Sequence, residues 1–372
     1  MRVLHCPEIV GGNAQQLARS ERDLGLQSKA IAFRQNYLLF ETDEVLLPNG
    51  GGRLRLEFAR WRLLVKALSY DVIHYNFGQT IFPACRLFSR RRPPLGLLLS
   101  LYSHIFDAFD LRLFRLLGKG IIVTFQGDDA RQGDYCREHF AITIANEVDT
   151  NYYNLTSDST KRKHIEKVSR YANRIYALNP DLLRVLPKHA AFLPYAHLDL
   201  DEWRPVAVCN EKPVLVHAPS DRGAKGTRFL LNAIKRLKSE GVDFEFLLIE
   251  GLSRTQAKKQ YEKADLLVDQ LLAGWYGGVA VEFMALAKPV IAYIRNEDLD
   301  FIPDEMRDDL PIINATPDGI YEVLKYWLTD GKQHLQEVGH KSRSYVEKWH
   351  DPLKIAMNMK IEYETILREN VK

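Results

Sequence analysis

The segment His217-Ala-Pro-Ser-Asp-Arg-Gly-Ala-Lys-Gly-Thr227 sets two cations, Arg222 and Lys225, among small residues, directly after an apolar run and before a helical one. An α/β sheet binds phosphate at such a place, because unpaired amides and the positive end of a helix dipole face the anion. Gly223 and Gly226 permit close backbone approach, and an Arg fork beside a compact Lys charge suits a diphosphate. The plainer alternative is a turn with solvated basic residues. The Gly-x4-Gly-Lys-Ser/Thr spacing of a P-loop is absent.

A second stretch, Gly274-Trp-Tyr-Gly-Gly-Val-Ala-Val-Glu-Phe-Met-Ala-Leu-Ala-Lys-Pro-Val290, places Gly277 and Gly278 at a helix start, with Glu282 about one turn later. Amides at that start can hold a phosphate or a sugar hydroxyl, and the carboxylate can accept from vicinal hydroxyls such as those of ribose. Apolar residues flank Glu282, and an acid in such surroundings needs a partner. Two further candidates follow apolar runs near the N-terminus: Gly11-Gly12, and Gln126 in Gln126-Gly-Asp-Asp129.

The elements that position these residues are legible as alternating strands and helices. Strands are expected at Arg2–Cys6, Ser28–Phe33, Asp71–Tyr75, Ile121–Phe125, Arg174–Leu178 and Ala191–Tyr195, with Asn13 capping a first helix. After Asp199-Leu-Asp-Glu-Trp-Arg-Pro205 a second series begins at Pro213–Ala218 and continues through Phe244–Ile249, Asp265–Asp269 and Pro289–Tyr293. From Asp318 onward the pattern is helical, interrupted at Pro352. Apolar runs separated by helices denote parallel sheets covered on both faces. The expected fold is α/β, with two Rossmann-like domains: 1–205, joined by a last helix in 351–372, and 206–350.

Composition bounds the function. The chain has 372 residues, 46% hydrophobic and 27% charged, with 22 Gly and 16 Pro, which excludes disordered and low-complexity classes. A net charge of +3 does not point to nucleic acid. The four cysteines, Cys6, Cys85, Cys136 and Cys209, form no Cys-x-x-Cys pair, which points to a reducing compartment and against structural zinc. The N-terminal strand lacks the apolar core of a signal peptide, and no run of about 18 uncharged apolar residues exists. A cytoplasmic enzyme is expected.

In this order and spacing the motifs resemble the retaining glycosyltransferases of family 4, of the two-domain GT-B fold, over nearly the whole chain. The glycine turn of that family matches Gly11-Gly12, its phosphate motif matches Arg222, Lys225 and Gly226, and the second glutamate of its acidic motif matches Glu282. The ending His350-Asp-Pro before a final helix, Leu353–Leu367, also matches, and in the family that helix crosses back to the first domain. The sequence departs from the pattern at three places. Gly274 stands where the first motif glutamate belongs, as in a bacterial branch with Gly-Trp-Tyr-Gly. Ser220 stands at the usual arginine position, five residues before Lys225. Gln126 replaces a histidine, although Gly127, Asp129 and Arg131 match the Gly-x-Asp-x-Arg of that branch.

The resemblance implies a UDP- or GDP-linked sugar as donor, a glycan, lipid-linked or small-molecule acceptor, and no cofactor or metal. Arg222, Lys225 and Gln126 would carry catalysis. Gly11, Gly12, Gly226, Gly277, Gly278 and Glu282 would hold the donor, in a setting of bacterial polysaccharide biosynthesis. Two rival readings share the fold: a non-catalytic nucleotide-sugar-binding scaffold, and a nucleotide-sugar epimerase. Asp199-Leu-Asp201 and Asp298-Leu-Asp300 have the form of a manganese-binding triplet, but the first reads better as a helix cap and the second as a polar loop. The basic, Leu- and Phe-rich segment 86–119 has two readings, a peripheral contact with an anionic membrane or a packed helix with a solvated basic end.

Overall fold

The computed structural model describes residues 1–35, 40–82, 101–102, 104–207 and 210–371. Its first sheet contains β1 (Arg2–Pro7), β2 (Gln27–Ala32), β3 (Glu44–Val45), β4 (Val72–Asn76), β5 (Gly120–Phe125), β6 (Arg174–Ala177) and β7 (Ala191–Phe192), all parallel in the order β3-β2-β1-β4-β5-β6-β7. Every residue of β4 and β5 is buried, as expected of central strands covered on both faces. Helices α1 (Asn13–Asp23), α2 (Arg53–Ala67), α3 (Phe109–Leu116), α4 (Gly133–His139) and α5 (Leu155–Tyr171) accompany this sheet.

The second sheet contains β8 (Val214–His217), β9 (Glu245–Leu248), β10 (Leu266–Val268), β11 (Val290–Ala292) and β12 (Ile313–Asn314), parallel in the order β12-β11-β10-β8-β9. Its helices are α6 (Arg222–Lys225), α7 (Thr227–Ser239), α8 (Arg254–Tyr261), α9 (Gly278–Ala285), α10 (Asp304–Asp308), α11 (Ile320–Leu328) and α12 (Leu335–Trp349), and α13 (Pro352–Val371) closes the chain. Strand order reverses between β1 and β4 in one sheet and between β8 and β10 in the other. Open α/β sheets bind ligands off the carboxyl ends of strands at such points. Gly11-Gly12 follows β1, the segment with Lys225 follows β8, and the segment ending in Gly277 follows β10, so the sequence candidates lie at both reversals.

Helix α13 returns to the first sheet. Ile355, Met359, Tyr363 and Ile366 pack on Val3, Leu17, Val72 and Ile122. A buried polar chain fixes it there: Tyr363 Oη donates to Glu21 Oε1 at 2.7 Å, while Glu21 Oε2 also accepts from Ser28 at 2.6 Å and lies 3.0 Å from His5 Nε2. The His74 ring joins Tyr363 (3.1 Å) to Thr124 (2.7 Å). Glu21 is completely buried, so its three partners replace the water it gives up. The matching ending before the helix also has a physical role. His350 Nε2 lies 2.8 Å from Tyr276 Oη, and its Nδ1 lies 2.9 Å from the Tyr195 carbonyl, tying the second sheet's glycine loop to the interdomain strap, the chain from 193 to 207 that follows β7.

Some local expectations change. Asn13 is the first residue of α1 and not its cap; Gly12, at φ +77°, holds that position. The Asn13 side chain instead accepts from the Ala196 amide at 2.7 Å, fastening α1 to the interdomain strap. The two-residue edge strands β3 and β12 carry no periodicity that a sequence could display. Asp199 accepts from the Asp201 amide at 2.9 Å in a local turn. Asp298 is completely buried between Arg184 (2.6 Å) and Arg295 (2.8 Å).

Of the basic segment 86–119, residues 86–100 and 103 lie outside the described residues. In its described part Arg112 donates to the Ile105 carbonyl, Arg115 to Asn370 and Lys119 to the Leu68 carbonyl. Cys85 and Cys209 also lie outside the described residues, and Cys6 and Cys136 are buried free thiols. Among the described residues no helix is long and apolar enough to cross a membrane.

Candidate active site

The phosphate segment is built from β8 outward. His217 ends that strand with its ring between the Val268 carbonyl and Thr227 Oγ1, both at 2.8 Å, so it joins β10 to α7 and is spent structurally. Asp221 accepts from the Ala224 amide at 2.7 Å and starts the short turn α6. Gly226 (φ +73°) then redirects the chain into α7, where a Cβ would press on Leu271 and Leu272 at 3.2 Å.

At the end of α6, Lys225 turns inward. Its Nζ donates to Asp269 Oδ1 at 2.8 Å and to Gln270 Oε1 at 2.9 Å. Asp269, just beyond β10, also accepts from the Gly277 amide at 2.6 Å through Oδ2. One buried carboxylate therefore places an ammonium beside the start of α9. A Cβ on Gly277 would lie 3.0 Å from Lys225 Nζ, so a larger residue there would crowd the ammonium. An ammonium has three N–H groups and two are used, which leaves one for a ligand.

One turn into α9, Glu282 is buried and has Arg254 Nε at 3.4 Å and His197 Nε2 at 3.9 Å. Arg254 begins α8 and lies between the Phe40 and Trp203 rings, at 4.9 and 5.2 Å from their centroids. Burial pushes the Glu282 carboxyl up from 4.5 to about 7, against the pull of Arg254. A carboxyl held neutral in the folded state binds more protons than the unfolded chain between those values. Its contribution is thus fully present below pH 4.5 and is lost as pH rises through 7. Glu282→Gln cannot titrate, so its stability relative to wild type should rise by about 3 kcal/mol between pH 4.5 and 7. Urea midpoints of both proteins at the two pH values measure this, and a difference that does not change with pH would contradict the burial of a titrating carboxyl here.

Across the cleft, Gly11 and Gly12 have φ of +69° and +77° and turn the chain into α1, and a Cβ on Gly12 would collide with the Phe40 ring. Gly12, Gln15, Arg19 and Phe40 face His197 and Arg254 around a cavity of about 420 Å³. Gln126 closes the end of β5. Its amide donates to both Asp129 oxygens at 3.0 Å, and its side-chain Nε2 is buried without a hydrogen-bond partner. Burial pushes Asp129 up to about 6 against the pull of these backbone amides. The Gln126 carbonyl accepts from Asn179, whose Oδ1 accepts from Tyr195 at 3.0 Å, linking this loop to the interdomain strap.

The structure thus brings Lys225, Gly277, Gly278 and Glu282 together and sets Gly12 in a cavity with His197 and Arg254, which border Gly278 and Glu282. It holds Arg222 apart: the guanidinium makes a two-point pair with Glu250 at 2.8 and 2.6 Å on the surface, and its side chain is 59% exposed. At Gly274 (φ +81°) the room for a glutamate is filled by Arg295, whose Nη1 would lie 2.6 Å from a Cβ there. Three site residues escaped the sequence reading: Asp269, Arg254 and His197. Only Asp269 left a signal, as a charged residue ending an apolar strand.

No protein-family model matches the chain, and no curated protein matches it significantly in sequence. Among solved structures the chain is similar to a sucrose-phosphate synthase from Thermosynechococcus elongatus, at 14% identity and a TM-score of 0.63 over 99% of this chain and 100% of that one. It is similar to Anabaena HepE in complex with UDP, at 12% and 0.58 over 98% and 100%. It is also similar to S. aureus MnaA in a co-structure with UDP, at 11% and 0.52 over 98% and 97%. Identities this low speak for the fold alone: two parallel-sheet domains of the GT-B kind, spanning the whole chain.

Proposed function

We propose that this chain is a glycosyltransferase that moves a sugar from a nucleoside diphosphate sugar to an acceptor hydroxyl with retention, as the family 4 resemblance implies. The observation that carries the reading is the Lys225–Asp269–Gly277 arrangement at the start of α9, at the strand-order reversal of the second sheet. HepE structures with UDP, with UDP and glucose, and with UDP-glucose support a donor of that class. Residues 206–350 form the donor domain, and 1–205 with 351–372 form the acceptor domain.

In this mechanism the C1–O bond to the diphosphate breaks, a C1–O bond to the acceptor forms, and the acceptor proton passes to the leaving phosphate. Lys225 and the amides of Gly278 and Gly12 stabilise the charge that develops on the diphosphate, which needs no metal, while the Gly277 amide stays on Asp269. Arg222 joins them when the diphosphate draws it from Glu250. Glu282 accepts from the ribose hydroxyls, and Gln126 Nε2 donates to a sugar hydroxyl. No side chain is assigned as nucleophile.

Arg295 in the place of the motif glutamate favours a second reading, a scaffold that binds the donor without turnover. Incubation with a panel of UDP- and GDP-sugars, with and without glycan and lipid-linked acceptors, separates the two. Acceptor-dependent release of UDP or GDP is expected, with the product's anomeric configuration matching the donor's. Donor binding without release for every acceptor would favour the scaffold.

A further inference from the structure

His197 is part of none of the motifs, yet it lines the cavity shared with Gly12 and Arg254. Its side chain is 3% exposed, and neither ring nitrogen makes a hydrogen bond of good geometry, the Gly278 backbone offering only a weak one. The ring lies over the N-terminus of α9: a Cβ on Gly278 would meet Nε2 at 3.4 Å. The nearest carboxylate, Glu282, is at 3.9 Å, outside hydrogen-bond reach. A buried polar group left unpaired is destabilising, and among the described residues His197 alone has two side-chain atoms in that state. The neighbouring charges are Glu282 and Arg254, with the Tyr195 and His350 rings nearby. Burial, with help from Arg254, lowers the imidazole to about 3, so at neutral pH it is uncharged and offers one N–H.

Position along α9 distinguishes His197 from Lys225. Lys225 adjoins Gly277 and is paired with Asp269, whereas His197 adjoins Gly278 and lies 3.9 Å from Glu282, one turn further along the helix. Building on the proposed donor class, with ribose on Glu282, we infer that His197 donates a hydrogen bond to the phosphate attached directly to the ribose, leaving the outer phosphate to Lys225. The helix N-terminus and the imidazole then share one anion, and each supplies a donor that is otherwise unpaired.

Calorimetric titration with uridine, UMP and UDP, and with guanosine, GMP and GDP, tests this division. In the wild type each added phosphate should tighten binding. In His197→Phe the gain from nucleoside to monophosphate should fall by about 10- to 100-fold while the gain from mono- to diphosphate persists, and Lys225→Ala should show the reverse. His197→Gln, which keeps a donor, should recover part of the loss, and it serves as the test protein if the phenylalanine variant does not fold. Monophosphate binding by His197→Phe as tight as wild type, or equal weakening of nucleoside and monophosphate, would overturn the inference. Wild-type protein that binds none of the six compounds would overturn the proposed donor class and this inference with it.

Discussion

Replacing Lys225 by alanine should lower the turnover of the nucleotide sugar by about 10²–10³-fold, the scale for removing one positioned stabiliser of developing charge. Lys225 is held by Asp269 and Gln270 before any substrate arrives, so its charge needs no reorganisation as the diphosphate departs. The same pairing makes the variant costly to fold, because Asp269 is only 3% exposed and would lose its cation. A loss of activity through unfolding must therefore be separated from a loss of charge stabilisation. Lys225→Ala combined with Asp269→Asn removes the stranded carboxylate: its thermal midpoint should recover while its turnover stays low. Near-wild-type turnover in either protein would remove Lys225 from the mechanism.

The second large effect belongs to Gly274. Restoring the family's glutamate with Gly274→Glu should destabilise the protein by about 3–5 kcal/mol and lower the thermal midpoint by about 10 °C, without raising activity. A left-handed backbone alone costs a side chain roughly 1–2 kcal/mol. The remainder comes from Arg295, whose guanidinium fills the space. It holds Asp298 at 2.8 Å, donates to the Ile142 carbonyl at 2.9 Å and lies 3.7 Å from the centre of the Phe140 ring. Moving it strands part of a buried ion pair and breaks a bond between the two halves of the chain. Differential scanning calorimetry of Gly274→Ala and Gly274→Glu divides the two contributions, since alanine tests the backbone and the Cβ contact alone. An unchanged midpoint in the glutamate variant would show that Arg295 moves aside freely.

The alternation of strand and helix was legible because central parallel strands are mostly apolar without alternation, as in β4 and β5, which are buried at every position. Lys225, Gly277 and Glu282 were legible for a related reason: a cation and glycines at helix starts are where an anion binds, and a carboxyl among apolar residues needs a partner. The residues that escaped act across the fold. Arg254 reaches Glu282, and His197 reaches Gly278, from elements far away in the chain, with no local pattern to announce either. The pairing of Arg222 with Glu250 was hidden in the same way, because a basic residue in a glycine turn looks identical whether it faces a ligand or a surface acid. Asn13 misled for a local reason, since Gly12 took the cap and released the Asn side chain to bind Ala196.

The most direct test is a crystal structure of the protein with a nucleoside diphosphate sugar bound. The account predicts a diphosphate over the Gly277-Gly278 start of α9, with Lys225 Nζ and the Gly12 turn within hydrogen-bond distance and the ribose hydroxyls on Glu282. A nucleotide bound elsewhere, with Lys225 still confined to Asp269 and Gln270, would contradict it.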